Sequence, residues 1–245
     1  MIFELLPTID IMIDLYQMPR TMERFQEYLK ILQGDQKGEL SMPISGFNPM
    51  AKEHILQKLT ALKDIKAEQI MNDTLVELNK KCADHSSKIV FKVALNLSDD
   101  LKGGWTNRYT SDYDGKFKIS ALIKRQFCAP VFWTSEQYTE DLVKNRTLAY
   151  CYRTVYWRVN GKPGTLKEHI EMERFADQGI INKKINRLTD FKLLETFYNK
   201  NKDSKDYQII FNFLYGDKAS TTLGFPTYGI KEEMSGFEYA RQFVK

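Results

Sequence analysis

The chain has 245 residues, of which 42% are hydrophobic and 28% are charged, and its formal net charge is +4. A chain this apolar can bury enough surface to offset the entropy lost on ordering, so a wholly disordered protein is excluded. Thirteen glycines and seven prolines are too few for a fibrous or low-complexity protein.

The small net charge conceals two regions of opposite sign. Residues 1–87 hold 10 Lys and Arg against 13 Asp and Glu, whereas residues 88–245 hold 26 against 19. A polar stretch at 82–87, with turn-forming residues, separates them. We therefore predict a helical subregion at 1–87 and an α+β subregion at 88–245, which form either two domains or one continuous domain.

The first subregion has the spacing of amphipathic helices. Apolar residues recur every three or four positions at 25–32, 55–62 and 70–78, and Gly34 ends the first run. The simplest packing of three such stripes is a small helical unit.

The second subregion begins with a strand pattern. Apolar residues occupy every second position from Ile89 to Leu97, which predicts a half-buried strand at 88–97. Residues 207–215 alternate in the same way, and 116–120 do so weakly. Because helices separate these strands irregularly, we predict an α+β fold. In it, a helical N-terminal region packs on a mixed domain with a small antiparallel sheet and several helices.

A long apolar run follows at 136–159. We favour one buried helix, although the β-branched and aromatic residues of 149–159 also allow a strand. A further helix is predicted from Thr165, its N-cap, to about Gln178, where Gly179 ends it.

Two arginines of the long run suggest an anion site. Arg146 and Arg153 share one face of the predicted helix among apolar neighbours, and a buried guanidinium needs an anionic partner. The partner is either a carboxylate of the next helix or a bound anion. The possible internal partners are Glu168, Glu171 and Glu173. In a ligand pocket, Tyr150 and Trp157 would line the site beside the two arginines.

The segment at 98–115 is predicted to be a long polar loop, and long loops in compact domains are often functional. Trp105 offers a stacking surface and Arg108 a cation. Its four aspartates could gather Ca²⁺ or Mg²⁺, or could simply be solvated. They are Asp99, Asp100, Asp112 and Asp114.

His169 and Glu173 form the strongest candidate metal pair. They are four residues apart on one predicted helix, so an imidazole and a carboxylate lie on the same face. Both groups are normal ligands of Zn²⁺ or Fe²⁺. No HExxH motif accompanies them, and a surface contact between the two side chains is the simpler interpretation.

Several functional classes are disfavoured by missing motifs. The three cysteines, Cys82, Cys128 and Cys151, have no metal or redox spacing. A P-loop, a dinucleotide-binding GxGxxG motif and a GxSxG nucleophile elbow are also missing. The N-terminus lacks a basic segment before an apolar run, as a secretory signal would need, and no apolar run is long enough to span a membrane. We therefore expect a cytoplasmic protein.

These observations predict a binding or interaction protein that recognises a small anionic ligand or a protein partner. The predicted ligand-binding residues are Trp105, Arg108, Arg146, Tyr150, Arg153 and Trp157. One alternative is a metal-dependent hydrolase that uses His169 and Glu173, with a divalent metal lowering the pKa of bound water. A second alternative is weak nucleic-acid binding by the basic subregion, although no nucleic-acid-binding motif supports it.

Overall fold

The computed structural model describes residues 1–34, 39–44, 47–81, 89–101, 107–180 and 190–242. These residues cluster into two compact units, Met1–Cys151 and Tyr152–Lys245. We call them the N-terminal unit and the C-terminal unit. Among the described residues, no helix is long and apolar enough to cross a membrane.

Short strands alternate with helices in the first part of the chain. The elements up to the second strand are β1 (Ile2–Leu5), α1 (Ile9–Gln17), α2 (Met22–Gln33), α3 (His54–Asp64), α4 (Ala67–Lys81) and β2 (Val90–Val93). They are followed by β3 (Asn96–Ser98), α5 (Arg108–Phe117), α6 (Ser120–Lys124), β4 (Phe127–Cys128) and β5 (Val131–Trp133). The remaining elements are α7 (Glu140–Asn160), α8 (Leu166–Asp177), α9 (Phe191–Asn201), α10 (Tyr207–Thr222) and α11 (Ser235–Arg241).

All the strand pairs that the structure describes are parallel, so the predicted antiparallel sheet is wrong. One sheet has the order β1-β2-β4 and the other pairs β3 with β5. Helices α1–α4 separate β1 from β2, and α5 and α6 separate β3 from β4. Such helical crossovers return the chain to the same end of the sheet, as parallel pairing requires. The N-terminal region is also not purely helical, because it supplies β1.

The two sheets are continuous along their strands. Between them, the amide of Ala94 donates to the carbonyl of Cys128 at 3.0 Å, and the amide of Asn96 to that of Pro130 at 2.9 Å. Residues 90–98 therefore run as one nearly continuous strand beside 127–133. This confirms a strand over the described part of 88–97. The strand was predicted to be half-buried, whereas residues 93–97 are buried on both faces.

Several predicted helices are present. The stripe Ile55, Leu59 and Leu62 is fully buried on α3. Helix α7 covers 149–159, so the alternative of a strand there is wrong. Thr165 caps α8 in a capping box: its side chain accepts from the amide of Glu168, whose carboxylate accepts from the amide of Thr165.

Three predictions for local structure are wrong. Residues 207–215 form helix α10, because Asp206 caps the amides of Gln208 and Ile209 and the apolar run is buried on most sides. Residues 116–120 span the end of α5 and the start of α6. The segment predicted as a loop contains α5, which Asn107 caps by accepting from the amide of Thr110.

The C-terminal unit contains α8–α11 and has an aromatic core. Phe213 packs against the rings of Phe197, Tyr198 and Tyr239 at centroid distances of 5.3–5.9 Å. Gly216 interrupts α10 with a φ of +83°, where a Cβ would lie only 2.4 Å from the carbonyl oxygen of Glu232. Only glycine combines that backbone conformation with such a close approach.

Candidate functional site

Polar side chains gather where β3 and β5 end. Asp99 and Asp100 follow β3, and Thr134, Ser135 and Glu136 follow β5. The amide of Thr134 donates to the carbonyl of Ser98 at 3.1 Å, so the pairing extends to this edge. In open α/β sheets, ligands bind outside the carboxyl ends of parallel strands. This edge is therefore a candidate ligand-binding site.

Asp99 links β3 to the start of α3. Its Oδ1 accepts from the Thr134 hydroxyl at 2.8 Å and lies 2.9 Å from Nε2 of His54. The amide of Leu101 donates to the same oxygen at 3.1 Å. Burial raises the pKa of Asp99, but the hydrogen bonds from His54, Thr134 and Leu101 outweigh burial and hold the pKa below its usual value. Asp99 is thus held as a carboxylate.

Asp100 joins β5 to the start of α5. The amide and the hydroxyl of Ser135 donate to its carboxylate at 2.9 and 2.6 Å. Nη1 of Arg108 donates to the same carboxylate at 2.5 Å, and the guanidinium lies 5.4 Å from the ring centre of Trp133. Arg108 is the first residue of α5, so this contact fixes where the helix begins relative to the strands.

Glu136 holds the third carboxylate of this edge. Nη2 of Arg146 donates to Oε1 at 2.8 Å, and Nη1 donates to Oε2. The amide of Trp133 donates to Oε2 at 3.0 Å, and Arg108 approaches Oε1 at 3.6 Å. Burial disfavours the charged form of Arg146, yet the bonds to Glu136 outweigh burial and raise its pKa.

We call this set of linked side chains the strand-end network. Its members are His54, Asp99, Asp100, Arg108, Thr134, Ser135, Glu136 and Arg146. Each carboxylate has at least two donors, so the network ties α3, α5 and α7 to the ends of the two strands. The network therefore supports the positions of these helices relative to the strand ends.

An open cavity of about 670 Å³ lies beside the same strands, a volume typical of small-molecule sites. Its walls come from α2 and the segment after it, from β3, from α5 and α6, and from β5 and the residues before it. The lining residues are Leu32, Gln33, Glu39, Leu40, Pro43, Asn96, Ser98, Ser111, Asp114, Gly115, Lys118, Ala121, Leu122, Arg125, Ala129 and Val131.

Asn96 is the polar group of the cavity wall that most needs a partner. The residue is 5% exposed, and its Oδ1 has no hydrogen-bond partner among the described residues. A buried polar atom left without a partner costs about 1–3 kcal/mol. A ligand that donates a hydrogen bond to Asn96 would recover that cost.

Gly115 brings α5 close to β5 at this cavity. A Cβ at this position would lie 3.3 Å from Cγ2 of Val131 and 3.4 Å from the hydroxyl of Tyr150. An alanine here would require the Val131 side chain to shift by a few tenths of an ångström. The glycine therefore allows α5 to pack closely against β5 at this wall of the cavity.

The charged lining of the cavity has both signs. Asp114 and Lys118 form an ion pair at 2.8 Å on the surface of α5. Arg125 donates to the carbonyl of Ala121 at 3.4 Å. Neither Arg125 nor Glu39 forms an ion pair with any residue that the structure describes.

The predicted ligand-binding residues fall in different places. Arg108 and Arg146 belong to the strand-end network, and Tyr150 lies beside Gly115 in the same unit. Arg153 and Trp157 belong to the C-terminal unit. Trp105 lies outside the described residues. A ligand role for these six residues stays a prediction, and an anion at Arg108 or Arg146 would have to compete with a carboxylate already bound there.

The predicted metal pair lies in the C-terminal unit. Arg153 donates through Nε and Nη2 to the two oxygens of Glu173, with Nε to Oε1 at 2.7 Å. His169 Nδ1 lies 2.7 Å from the carbonyl oxygen of Thr165, which can only accept, so Nδ1 carries the hydrogen. Burial lowers the pKa of His169. In the described part of the chain, no group of three potential ligands is positioned to hold a metal ion, and the metal role stays a prediction.

Neither Asn96 nor the cavity was predicted from the sequence. Asn is depleted in strands, so an Asn inside an alternating apolar run was a usable signal. The cavity itself depends on residues from α2 to β5, which only the tertiary structure brings together.

The chain matches no protein-family model, no curated protein and no solved structure. Its function must therefore be argued from the geometry of its own residues.

Proposed function

We propose that the N-terminal unit binds a small polar molecule in the cavity beside β3 and β5. The observation that carries this proposal is Asn96, a buried side chain on the cavity wall whose Oδ1 has no partner among the described residues. Native proteins rarely leave such an atom unpaired, and those that do often reserve it for a ligand, an ion or water.

The strand-end network supports the proposal because it holds the walls of the cavity in place. Asp100 and Arg108 anchor the start of α5, whose residues Ser111 and Gly115 line the cavity. A site whose walls are fixed before binding loses less conformational entropy when a ligand enters. This position is also more favourable for a ligand than the Arg146–Arg153 face predicted from the sequence, because both of those guanidinium groups already bind carboxylates.

The proposal is tested by thermal unfolding with small polar probes: leucine, 4-methylpentanoate, 3-methylbutylamine, glucose and uridine. At about 100 times its Kd, a bound probe stabilises the protein by about 2.7 kcal/mol, which corresponds to a Tm rise of about 5–10 °C. We expect at least one probe to raise the Tm, and Asn96→Ala to abolish the rise.

Asn212→Ala is the matched control. Asn212 is also a buried Asn whose Oδ1 has no partner among the described residues, but it lies in the C-terminal unit and does not line the cavity. Its substitution should leave the Tm rise intact. The proposal is wrong if no probe raises the Tm, or if the rise survives Asn96→Ala.

The two alternatives from the sequence, metal-dependent hydrolysis and weak nucleic-acid binding, stay predictions. No observation among the described residues favours either of them over the cavity.

A further inference from the structure

We infer that the ligand of this cavity is a small zwitterion with an apolar body, of the amino-acid class. The inference rests on the proposed function and adds the chemistry of the ligand. It is drawn from the charges of the lining and from the position of its apolar side chains.

The charged lining is electrically balanced. Asp114 and Lys118 pair with each other, which leaves one acidic and one basic side chain, Glu39 and Arg125, outside any ion pair with a described residue. A simple anion would gain from Arg125 but would be repelled by Glu39. A ligand that carries both a carboxylate and an ammonium group suits both side chains.

The ammonium group also suits Asn96. It has three N–H donors and no acceptor, so it can donate to Oδ1 of Asn96 in addition to its attraction to a carboxylate. A carboxylate near Arg125 can accept two parallel hydrogen bonds from the planar guanidinium.

Much of the remaining lining is apolar. Leu32, Leu122 and Val131 line the same cavity. Burying an aliphatic group against them strengthens binding about 4-fold for each CH₂ removed from water. An aliphatic amino acid thus has a suitable contact for each part of its structure.

The experiment compares three probes that share one branched body: leucine, 4-methylpentanoate and 3-methylbutylamine. The first carries both charges, the second only the carboxylate and the third only the ammonium group. Isothermal titration of the full chain is expected to give leucine a Kd about 2- to 5-fold lower than that of either singly charged probe, since Glu39 and Arg125 are exposed and each contact with an exposed charge changes affinity by about this factor.

Single substitutions test which side chain contacts the carboxylate of the ligand and which contacts its ammonium group. Arg125→Gln should raise the Kd for leucine and 4-methylpentanoate about 2- to 5-fold, because Arg125 is an exposed side chain, and it should not weaken 3-methylbutylamine, which loses only a repulsion. Glu39→Gln should weaken leucine and 3-methylbutylamine and should not weaken 4-methylpentanoate, which is repelled by Glu39 in the wild-type protein. Lys124→Gln is the control, because Lys124 is an exposed cation of α6 that does not line the cavity. It should change none of the three affinities.

The results separate this inference from the proposed function. If 4-methylpentanoate binds as tightly as leucine, or if only glucose or uridine binds in an Asn96-dependent manner, the ligand is not a zwitterion, although the cavity is still a binding site. If no probe binds to the wild-type protein, both the inference and the proposed function are overturned.

Discussion

The half-buried Arg146 and the buried Arg153 are held in different ways, although they lie about two turns apart on one helix, α7. In the N-terminal unit, Arg146 binds Glu136, which also accepts from the amide of Trp133 and lies near Arg108. In the C-terminal unit, Arg153 and Glu173 are 6% and 5% exposed and bind each other through two hydrogen bonds.

This difference shows how the ends of parallel strands help to stabilise a carboxylate. At the end of a strand, a free backbone amide and a side chain can both donate hydrogen bonds to one carboxylate, so several donors stabilise its negative charge. A carboxylate between two helices lacks those amides, because helical N–H groups bond within the helix. The cavity described above lies in the N-terminal unit, beside β3 and β5.

The largest expected effect comes from breaking the pair between helices. Arg153→Met should lower the free energy of unfolding by about 3–5 kcal/mol, because it leaves the Glu173 carboxylate buried without its guanidinium. Urea denaturation measures the loss. The double variant Arg153→Met/Glu173→Leu should recover most of it. Arg158→Met, an exposed arginine of the same helix, should cost less than about 0.5 kcal/mol.

The equivalent change in the N-terminal unit should be milder. Arg146→Met removes two donors from Glu136, but the amide of Trp133 and Arg108 remain. We expect a loss of about 2 kcal/mol in the same urea experiment. A loss larger than that of Arg153→Met would contradict the comparison between the units.

A pH titration probes the second buried group of the C-terminal unit. Because burial lowers the pKa of His169, the folded state favours the neutral imidazole. The neutral imidazole of His169 therefore contributes its full stabilisation above the unfolded-state pKa of about 6.5. As the pH falls from there through the lowered folded-state pKa, this stabilisation is lost at no more than about 1.4 kcal/mol per pH unit. His169→Asn keeps a donor for the Thr165 carbonyl but cannot titrate. Its stability should therefore fall less between pH 7 and pH 5, and an unchanged slope would refute the assignment.

The smallest expected effect is at the start of α8. Thr165→Ala removes the side chain that accepts from the amide of Glu168 and should cost about 1 kcal/mol. Thr165→Ser keeps the hydroxyl and should cost much less. If the two variants are equally stable by urea denaturation, the capping box contributes nothing to the C-terminal unit.

Local signals in the sequence were enough for most helices but not for α10. The alternation of Ile209, Phe211 and Phe213 predicts a strand, whereas the intervening Ile210 and Leu214 are buried too. A run that is apolar on most sides has no decisive period. The missed signal was Asp206, which is a typical N-cap before a run too long for an ordinary strand.

Strand direction could not be predicted from the same patterns. Alternation tells which face of a strand is buried, but not which segment pairs with it or in which direction. β1 has only four residues and shows no repeat of its own, and it pairs with a strand far along the chain. Tertiary packing therefore decided the sheet topology.

The candidate site was predictable only in part. The sequence placed Asp99, Asp100 and Arg108 in a segment expected to be functional, and it named Glu173 among the possible partners of the buried arginines. It did not predict that Glu136 binds Arg146, which depends on how α7 folds back over the end of β5. It also did not predict that Thr134 reaches Asp99, because that contact depends on the parallel pairing of β3 with β5. The residues adjacent to these in the sequence do not indicate which strands pair.

The parallel pairing of β1 with β2 also has a consequence for synthesis. Leu5 pairs with Val93, so each partner of β1 is translated 88 residues after it. At about 5–20 residues per second, the first strand waits roughly 4–17 s before its neighbour exists. During that interval Phe3, which is buried in the folded protein, has no neighbouring strand to pack beside.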